Sequence, residues 1–205
     1  MRRKICNVMV SIAAIFAVFS GTAHAEGEHM HDGFFLRLAP GVGAMSISEK
    51  VGANKYEYSG ASSHLNFAIG GAVVENFIVH LDLSATGMSE PKLKVNGQST
   101  TGATGDHATS VLGLGLTYYF PANFYLTGAV GTARTSVKVN GKTYDTDRGV
   151  GFNLMVGKEW WVSDNWGLGV AGQWLYSKCP DKPINGATPD VISSSLGVLF
   201  SATYN

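Results

Sequence analysis

Hydrophobic and polar positions alternate along most of the chain with a period of two. The clearest stretch runs from Arg148 to Ser177. Val150, Phe152, Leu154, Val156 and Trp160 share one parity, with Gly151, Asn153, Met155, Gly157 and Glu159 between them. After Ser163-Asp164-Asn165, Trp166, Leu168, Val170, Trp174 and Tyr176 alternate with Gly167, Gly169, Ala171 and Gln173. Successive side chains of a strand point to opposite faces. The pattern therefore predicts a β-hairpin with one large apolar face and one face of small and polar residues. Each arm is long enough to cross a bilayer as a tilted strand of about 9–11 residues.

Six more segments follow the same rule, making eight in all. Phe34 to Ile47 sets Phe34, Leu36, Leu38, Val42 and Ala44 against Arg37, Ala39, Gly41 and Gly43. His64 to Val74 sets Leu65, Phe67, Ile69 and Val73 against Asn66, Ala68, Gly70 and Ala72. From Phe77, the residues Phe77, Val79, Leu81, Leu83 and Ala85 alternate with His80, Asp82 and Ser84. Ala108 to Phe120 and Phe124 to Val137 repeat the alternation, the first with Leu112, Leu114, Leu116, Tyr118 and Phe120 on one face. Val191 to Tyr204 closes the series with Leu196, Val198, Phe200 and Tyr204 against Ser193, Ser195, Gly197, Ser201 and Thr203.

The connections alternate in length. Those at Glu75, Pro121 and Ser163 are short, whereas 48–63, 89–106, 138–147 and 178–190 are longer and polar. An even number of antiparallel strands with short turns at one end and long loops at the other is the pattern of a transmembrane barrel. The aromatic residues fall accordingly. Phe34, Phe35, Phe77, Tyr118, Tyr119, Phe120, Phe124, Tyr125, Trp160, Trp161, Trp166 and Tyr204 lie at the short-turn end, and Trp174 and Tyr176 mark the opposite boundary. The expected girdle is Phe34, Phe77, Tyr118, Phe120, Phe124, Trp160, Trp166, Trp174, Tyr176 and Tyr204, amphipathic rings at the two membrane–water boundaries. Lys94-Val95-Asn96-Gly97 and Lys138-Val139-Asn140-Gly141 read as hairpin tips that continue the strands outward, because Asn-Gly suits a turn with two positive φ angles.

Composition adds a compartment. Arg2, Arg3 and Lys4, the apolar run Ile5 to Phe19 and the small residues around Ala23-His24-Ala25 make residues 1–25 a secretory signal; the apolar run is too short for a membrane helix. A periplasmic segment 26–33 and a barrel domain 34–205 follow. The chain has 15 basic and 15 acidic residues, so loss of the three N-terminal cations leaves a charge of about −3, which gives no signal for nucleic acid. One cysteine, Cys179, remains after removal of Cys6, and no intrachain disulfide is expected. Neither parity carries enough charge to face bulk water along its length, which argues against a soluble eight-stranded barrel. The fold class is all-β: an antiparallel eight-stranded transmembrane barrel.

Eight segments, three short turns, four outer loops and the final strand Leu196-Gly197-Val198-Leu199-Phe200-Ser201-Ala202-Thr203-Tyr204 resemble the small OmpA/OmpX-type outer-membrane β-barrel domain family. The resemblance implies a monomer in the outer membrane, with termini and short turns periplasmic and long loops extracellular. It implies structural, surface-interaction or narrow-channel roles more often than catalysis. The implied partners are outer-membrane lipid and lipopolysaccharide, the export and barrel-assembly machinery, and an extracellular ligand held by the outer loops. No cofactor is implied.

Arg37, His80, Asp82 and Glu159 have interior parity, and buried charges need partners. They read as a salt-bridge network that plugs a narrow lumen, with Arg37 as hub for Asp82 and Glu159, or as a gate. His80 beside Asp82 is also a fragment of an acid–base pair. His64 and His107 are placed at outer strand ends, near Ser62, Ser63, Thr109 and Ser110. Some lipid A-modifying barrels use His and Ser at such a rim, but solvated loop histidines are the plainer reading. Glu26, Glu28, His29, His31 and Asp32 form a weak metal-like spacing that a solvated tail explains better, and no metal site is assigned. Cys179 is placed in a loop. Lys158, of lipid-facing parity beside Trp160, is expected to snorkel into the headgroups. A structural or surface-interaction role leads, a narrow diffusion channel is the alternative, and a lipid-modifying enzyme comes third.

Overall fold

The computed structural model describes residues 30–100, 105–182 and 189–205. The expected signal sequence, Glu26, Glu28 and His29 lie outside the described residues. The strands are β1 (Phe34–Val51), β2 (Asn54–Val74), β3 (Phe77–Met88), β4 (Lys92–Val95), β5 (Gln98–Thr100), β6 (Asp106–Phe120), β7 (Phe124–Val139), β8 (Lys142–Asp145), β9 (Gly149–Trp161), β10 (Trp166–Pro180) and β11 (Asp190–Tyr204). Eight of these, β1, β2, β3, β6, β7, β9, β10 and β11, form one antiparallel ring, closed because β1 pairs with β11 as well as with β2. The chain is an eight-stranded closed barrel, as its alternation predicts.

Parity sorts the two faces. Leu38, Val42, Leu81, Leu114, Val130, Val156 and Phe200 are exposed on the outside, while their neighbours Arg37, Asp82, Gly113, Ala129 and Ser201 face the lumen. Val42 is 71% exposed and Leu114 65%. A ring of exposed Leu, Val and Phe on every barrel strand far exceeds the scattered apolar surface of a water-soluble protein. Lipid is the solvent that matches it. On β1 this face runs from Phe34 to Ala44, a rise of about 25 Å for tilted strands of about 3.3 Å per residue. Phe34, Tyr118, Phe120, Phe124 and Trp160 are exposed at its lower edge, with Phe77, Trp166 and Tyr204 partly so. Trp174 and Tyr176 mark the upper edge, and Trp174 Nε1 donates to Ser194 Oγ at 3.1 Å. Lys158 lays its ammonium over the Phe124 ring, 4.3 Å from the centroid. Phe35, Tyr119 and Tyr125, at the same strand ends but of the other parity, point inward and are buried.

The short turns are local solutions to tight reversal. Asn76 takes φ 65°, and Ala122 and Asn123 take φ 62° and 58° in the reversal Pro121–Asn123. Both Asn-Gly pairs adopt the expected two positive φ values, 53° and 84° at Asn96-Gly97 and 50° and 77° at Asn140-Gly141.

At the other end the sequence reading falls short. Of the stretches expected as loops, 48–63 and 138–147 are mostly strand, and the described parts of 89–106 and 178–190 hold β4, β5 and the outer ends of β6, β10 and β11. β1 and β2 stay paired to Val51↔Asn54, ten residues beyond the expected start of the second segment at His64. β4 follows β3 along the same edge of β2 and turns at Asn96-Gly97 into β5, and β8 runs back along β7 from Asn140-Gly141, so both Asn-Gly tips end hairpins that continue barrel strands outward, as expected. Cys179 lies in β10, fully buried, and not in a loop. The β1–β11 ladder is interrupted: its register passes from Leu38↔Ala202 to Gly41↔Leu199, and Pro40, without an N–H, sits in the gap.

Leu114→Arg places a charge near mid-membrane and is expected to destabilise the barrel by about 2–4 kcal/mol, whereas Lys158→Arg at the boundary costs about 0–1 kcal/mol. Unfolding titrations in lipid vesicles measure both. Equal stability of wild type and Leu114→Arg would invert the face assignment.

Candidate functional site

The lumen of an eight-stranded barrel is only wide enough for side chains, and here it is filled in three layers. The lowest holds Phe35, Ile78, Tyr119 and Tyr125, all buried. Glycine makes room for the large ones: a Cβ at Gly157 would lie 2.6 Å from the Tyr125 hydroxyl oxygen. Below them, the chain before β1 folds under the barrel. The Asn76 amide donates to the His31 carbonyl and the Ala72 amide to the Gly33 carbonyl, both at 2.9 Å. These bonds seat the His31 ring on Tyr119, 3.5 Å between centroids, and 5.0 Å from Trp161. His31 is therefore a stopper in the short-turn mouth and not part of a solvated tail. Burial holds its pKa below the usual histidine value, against the opposing pull of Asn205 and Glu159.

The middle layer contains the expected charges, and the structure corrects how they are held. Arg37 is fully buried and has no ion pair; among the described residues no ion pair lies in the lumen. Arg37 Nε donates to Asn66 Oδ1 at 3.3 Å and an η nitrogen to Thr127 Oγ1 at 3.1 Å. Its guanidinium lies 5.0 Å from the Tyr125 ring centroid and 5.5 Å from that of Phe35. Asp82 accepts from Asn66 Nδ2 at 2.8 Å, Ser84 Oγ at 2.8 Å and Asn153 Nδ2 at 3.1 Å. Asn66 thus stands between the two charges, its oxygen toward Arg37 and its nitrogen toward Asp82. Glu159 is held apart, accepting from Tyr119 Oη at 2.9 Å and from Thr203 and Ser201. Neutral amides and hydroxyls replace the salt bridges that parity alone suggested. Asn66, Asn153, Thr127 and Gln173 are the residues that reasoning from charge missed; interior parity was the signal that could have found them.

His80 and Asp82 are not an acid–base pair. His80 Nε2 lies 3.0 Å from Thr117 Oγ1, and the ring fills the space left by Gly115. His64 is a second correction. It lies inside the lumen and not at the rim, because β2 continues ten residues past it. Its Nε2 is 3.0 Å from Ser62 Oγ and its Nδ1 2.8 Å from Gln173 Oε1. This order of hydroxyl, imidazole and amide resembles a nucleophile with its base and orienting group. The ring, however, is wedged against Gly43 and Gly197, and Ser62 is buried, which leaves a substrate no approach. Gln173 Nε2 passes the network on to Asn153 Oδ1 at 3.0 Å.

The upper layer mixes apolar side chains with buried hydroxyls such as Thr86, Thr109, Thr135 and Ser193. Met45, Ile47, Met88 and Val191 cluster with Tyr58, and Val111, Ala133, Leu175 and Cys179 form a second group. His107 is at the outer end as expected, packed on Tyr58 with 4.6 Å between centroids. Among the described residues no three His, Cys, Asp or Glu side chains are grouped to hold a metal ion.

No protein-family model matches the chain, and no curated protein matches its sequence. Solved structures do. Neisserial surface protein A is 16% identical, with a TM-score of 0.49, over 83% of this chain and 96% of that one. The outer membrane protein OprG from Pseudomonas aeruginosa is 15% identical, with a TM-score of 0.49, over 88% and 99%. Outer membrane protein AlkL, solved in DMPC bilayers, is 13% identical, with a TM-score of 0.48, over 91% and 96%.

Asn66→Ala removes a partner from Arg37 and from Asp82 at once and is expected to cost about 2–3 kcal/mol in vesicle unfolding, more than Ser84→Ala. The His31 seat adds a pH dependence. A base whose folded pKa is lowered contributes fully above its unfolded value of 6.5 and loses that contribution as pH falls below it. Wild type is therefore expected to lose stability between pH 7.5 and 5.5 relative to His31→Phe, which keeps the ring contact without titrating.

Proposed function

We propose that this outer-membrane barrel is a plugged anchor whose work is done by the strands that project beyond the membrane. The observation that carries the reading is the three-layered filling of the lumen. Aromatic rings close one mouth, a hydrogen-bonded polar layer occupies the centre, and methionine, aliphatic and hydroxyl side chains occupy the other end. A solute path would require several buried groups to leave together. The projecting part, in contrast, is paired strand from Ser46 to Ser59 and in β4, β5 and β8. A rigid platform of this kind suits recognition.

In the proposed orientation the short turns and both chain ends face the periplasm and the projecting hairpins face outward. The ends lie on the short-turn side, since the Asn205 amide donates to the Asn165 carbonyl. The reading includes no catalysis; the enclosed position of His64 and Ser62 supports that exclusion. A filled barrel is expected to give no discrete conductance steps in planar bilayers, and an impermeant maleimide should label Asn96→Cys but not Asp164→Cys on intact cells. Steady ion conductance would favour the narrow-channel reading instead, and the reverse labelling pattern would invert the orientation.

A further inference from the structure

Beyond the belt, the ends of β1 and β2 join β4 and β5 in a four-stranded sheet, and its register sets which residues share a face. Lys50 stands opposite Lys55, Ser48 opposite Glu57, Glu57 opposite Lys94, Ser59 opposite Lys92, and Lys94 opposite Ser99. This face prolongs the lipid-facing side of the barrel, since Val42, Ala44, Ser46, Ser48 and Lys50 share one parity on β1. The other face, with Tyr58, Leu93 and Val95, is partly buried and prolongs the lumen side. The lysines therefore look sideways over the surrounding lipid.

The charge on this face is unbalanced. Glu57 is the acid that the register places among the four lysines, and it is bound to Lys55 at 2.7 Å. Lys50, Lys92 and Lys94 are exposed and have no ion pair among the described residues. Other outer cations come with acids: Arg134 is 3.7 Å from Asp145, Lys138 stands opposite Asp106, and on β10 and β11, beside β1, Lys178 holds Asp190 at 2.8 Å, the acid next in line to Lys50 after Glu49↔Val191. Like charges directly opposite on a sheet are destabilising, so folding alone does not favour Lys50 against Lys55. A bound anion offsets the repulsion. The height fits a headgroup. Counted from Ala44 and its partner Ala61, Lys92 stands two residues further out, opposite Ser59, and Lys50 stands six, about 5–15 Å above the belt for tilted strands.

We propose that this lysine face binds the phosphate groups of lipid A, the phosphorylated glycolipid headgroup of the outer leaflet around the barrel. The proposal rests on the orientation above. Ammonium groups on flexible stems suit phosphate as mobile point charges.

The test is a binding titration of purified full-length protein in neutral micelles with fluorescent bis-phosphorylated lipid A. Micelles expose both ends, so a wrong orientation leaves this titration unaffected and shows only in the surface labelling. The triple variant K50A/K92A/K94A is expected to bind on the order of 100-fold more weakly, as three lysines near an anionic surface imply. The corresponding triple arginine variant should retain binding, and R134A/K178A should match wild type. Dephosphorylated lipid A should bind wild type as weakly as the triple alanine variant binds the phosphorylated form. The heat-dependent gel shift checks that each variant is folded. Undiminished binding by the triple alanine variant would overturn the proposal, as would equal affinity for the two lipids. Binding of a soluble sulfated glycan in place of lipid A would also overturn it and assign the face to a soluble polyanion.

Discussion

Within hydrocarbon no water is available to a peptide group, and each unpaired N–H or C=O costs several kcal/mol. That constraint is met here by the pairing of β1 with β11, which leaves the sheet without an edge. The rest of the molecule follows from it. Closure with eight strands fixes a bore that only side chains can occupy. The bore must then be filled by whatever the inward parity supplies, which here is glycine, serine, threonine, amides and a few charges. Glycine matters because the bore is narrow. Gly115 admits the His80 ring, and Gly43 and Gly197 admit the His64 ring.

The buried charges show how filling and pairing are reconciled. Bringing Arg37 and Asp82 into direct contact would satisfy charge but leave the other hydrogen-bonding positions of each to be met elsewhere. Asn66 offers an acceptor to one and a donor to the other, and Asn153, Ser84 and Thr127 complete the shells. A carboxylate wrapped by neutral donors and a guanidinium stacked between Phe35 and Tyr125 form a rigid lattice, not a hinge. In the function proposed above, rigidity in the bore makes the anchor and reach beyond the membrane makes the platform.

The barrel was legible in the sequence because lipid makes the outward parity apolar, so period-two alternation and strand coincide. Beyond the membrane the rule reverses. On upper β1 the inward residues Met45 and Ile47 are apolar and buried, and the outward Ser46, Ser48 and Lys50 are polar. A search for an apolar outer face therefore reads real strand as loop. Phe35, Tyr119 and Tyr125 stand at the same strand ends as the girdle residues, but their parity directs them inward. Interior parity marks the partners of Arg37 as lumen residues but does not pair them with it. Charge suggests a carboxylate, but only three-dimensional register places Asn66 of β2 and Thr127 of β7 beside it.

The closure of β1 on β11 also has a consequence in time. Every other junction in the ring joins barrel strands that follow one another along the chain and can pair as local hairpins. The last junction joins residues as far apart as Leu36 and Tyr204, so it forms only after the final strand exists. Non-local pairing of this kind is slow, because loop closure precedes the contacts that reward it. Until then β1 and β11 both present open edges, and Pro40 shortens the ladder that must seal them. The chain is thus committed to a period as an unclosed sheet, and a helper at the membrane that shelters those two edges would act on this one seam.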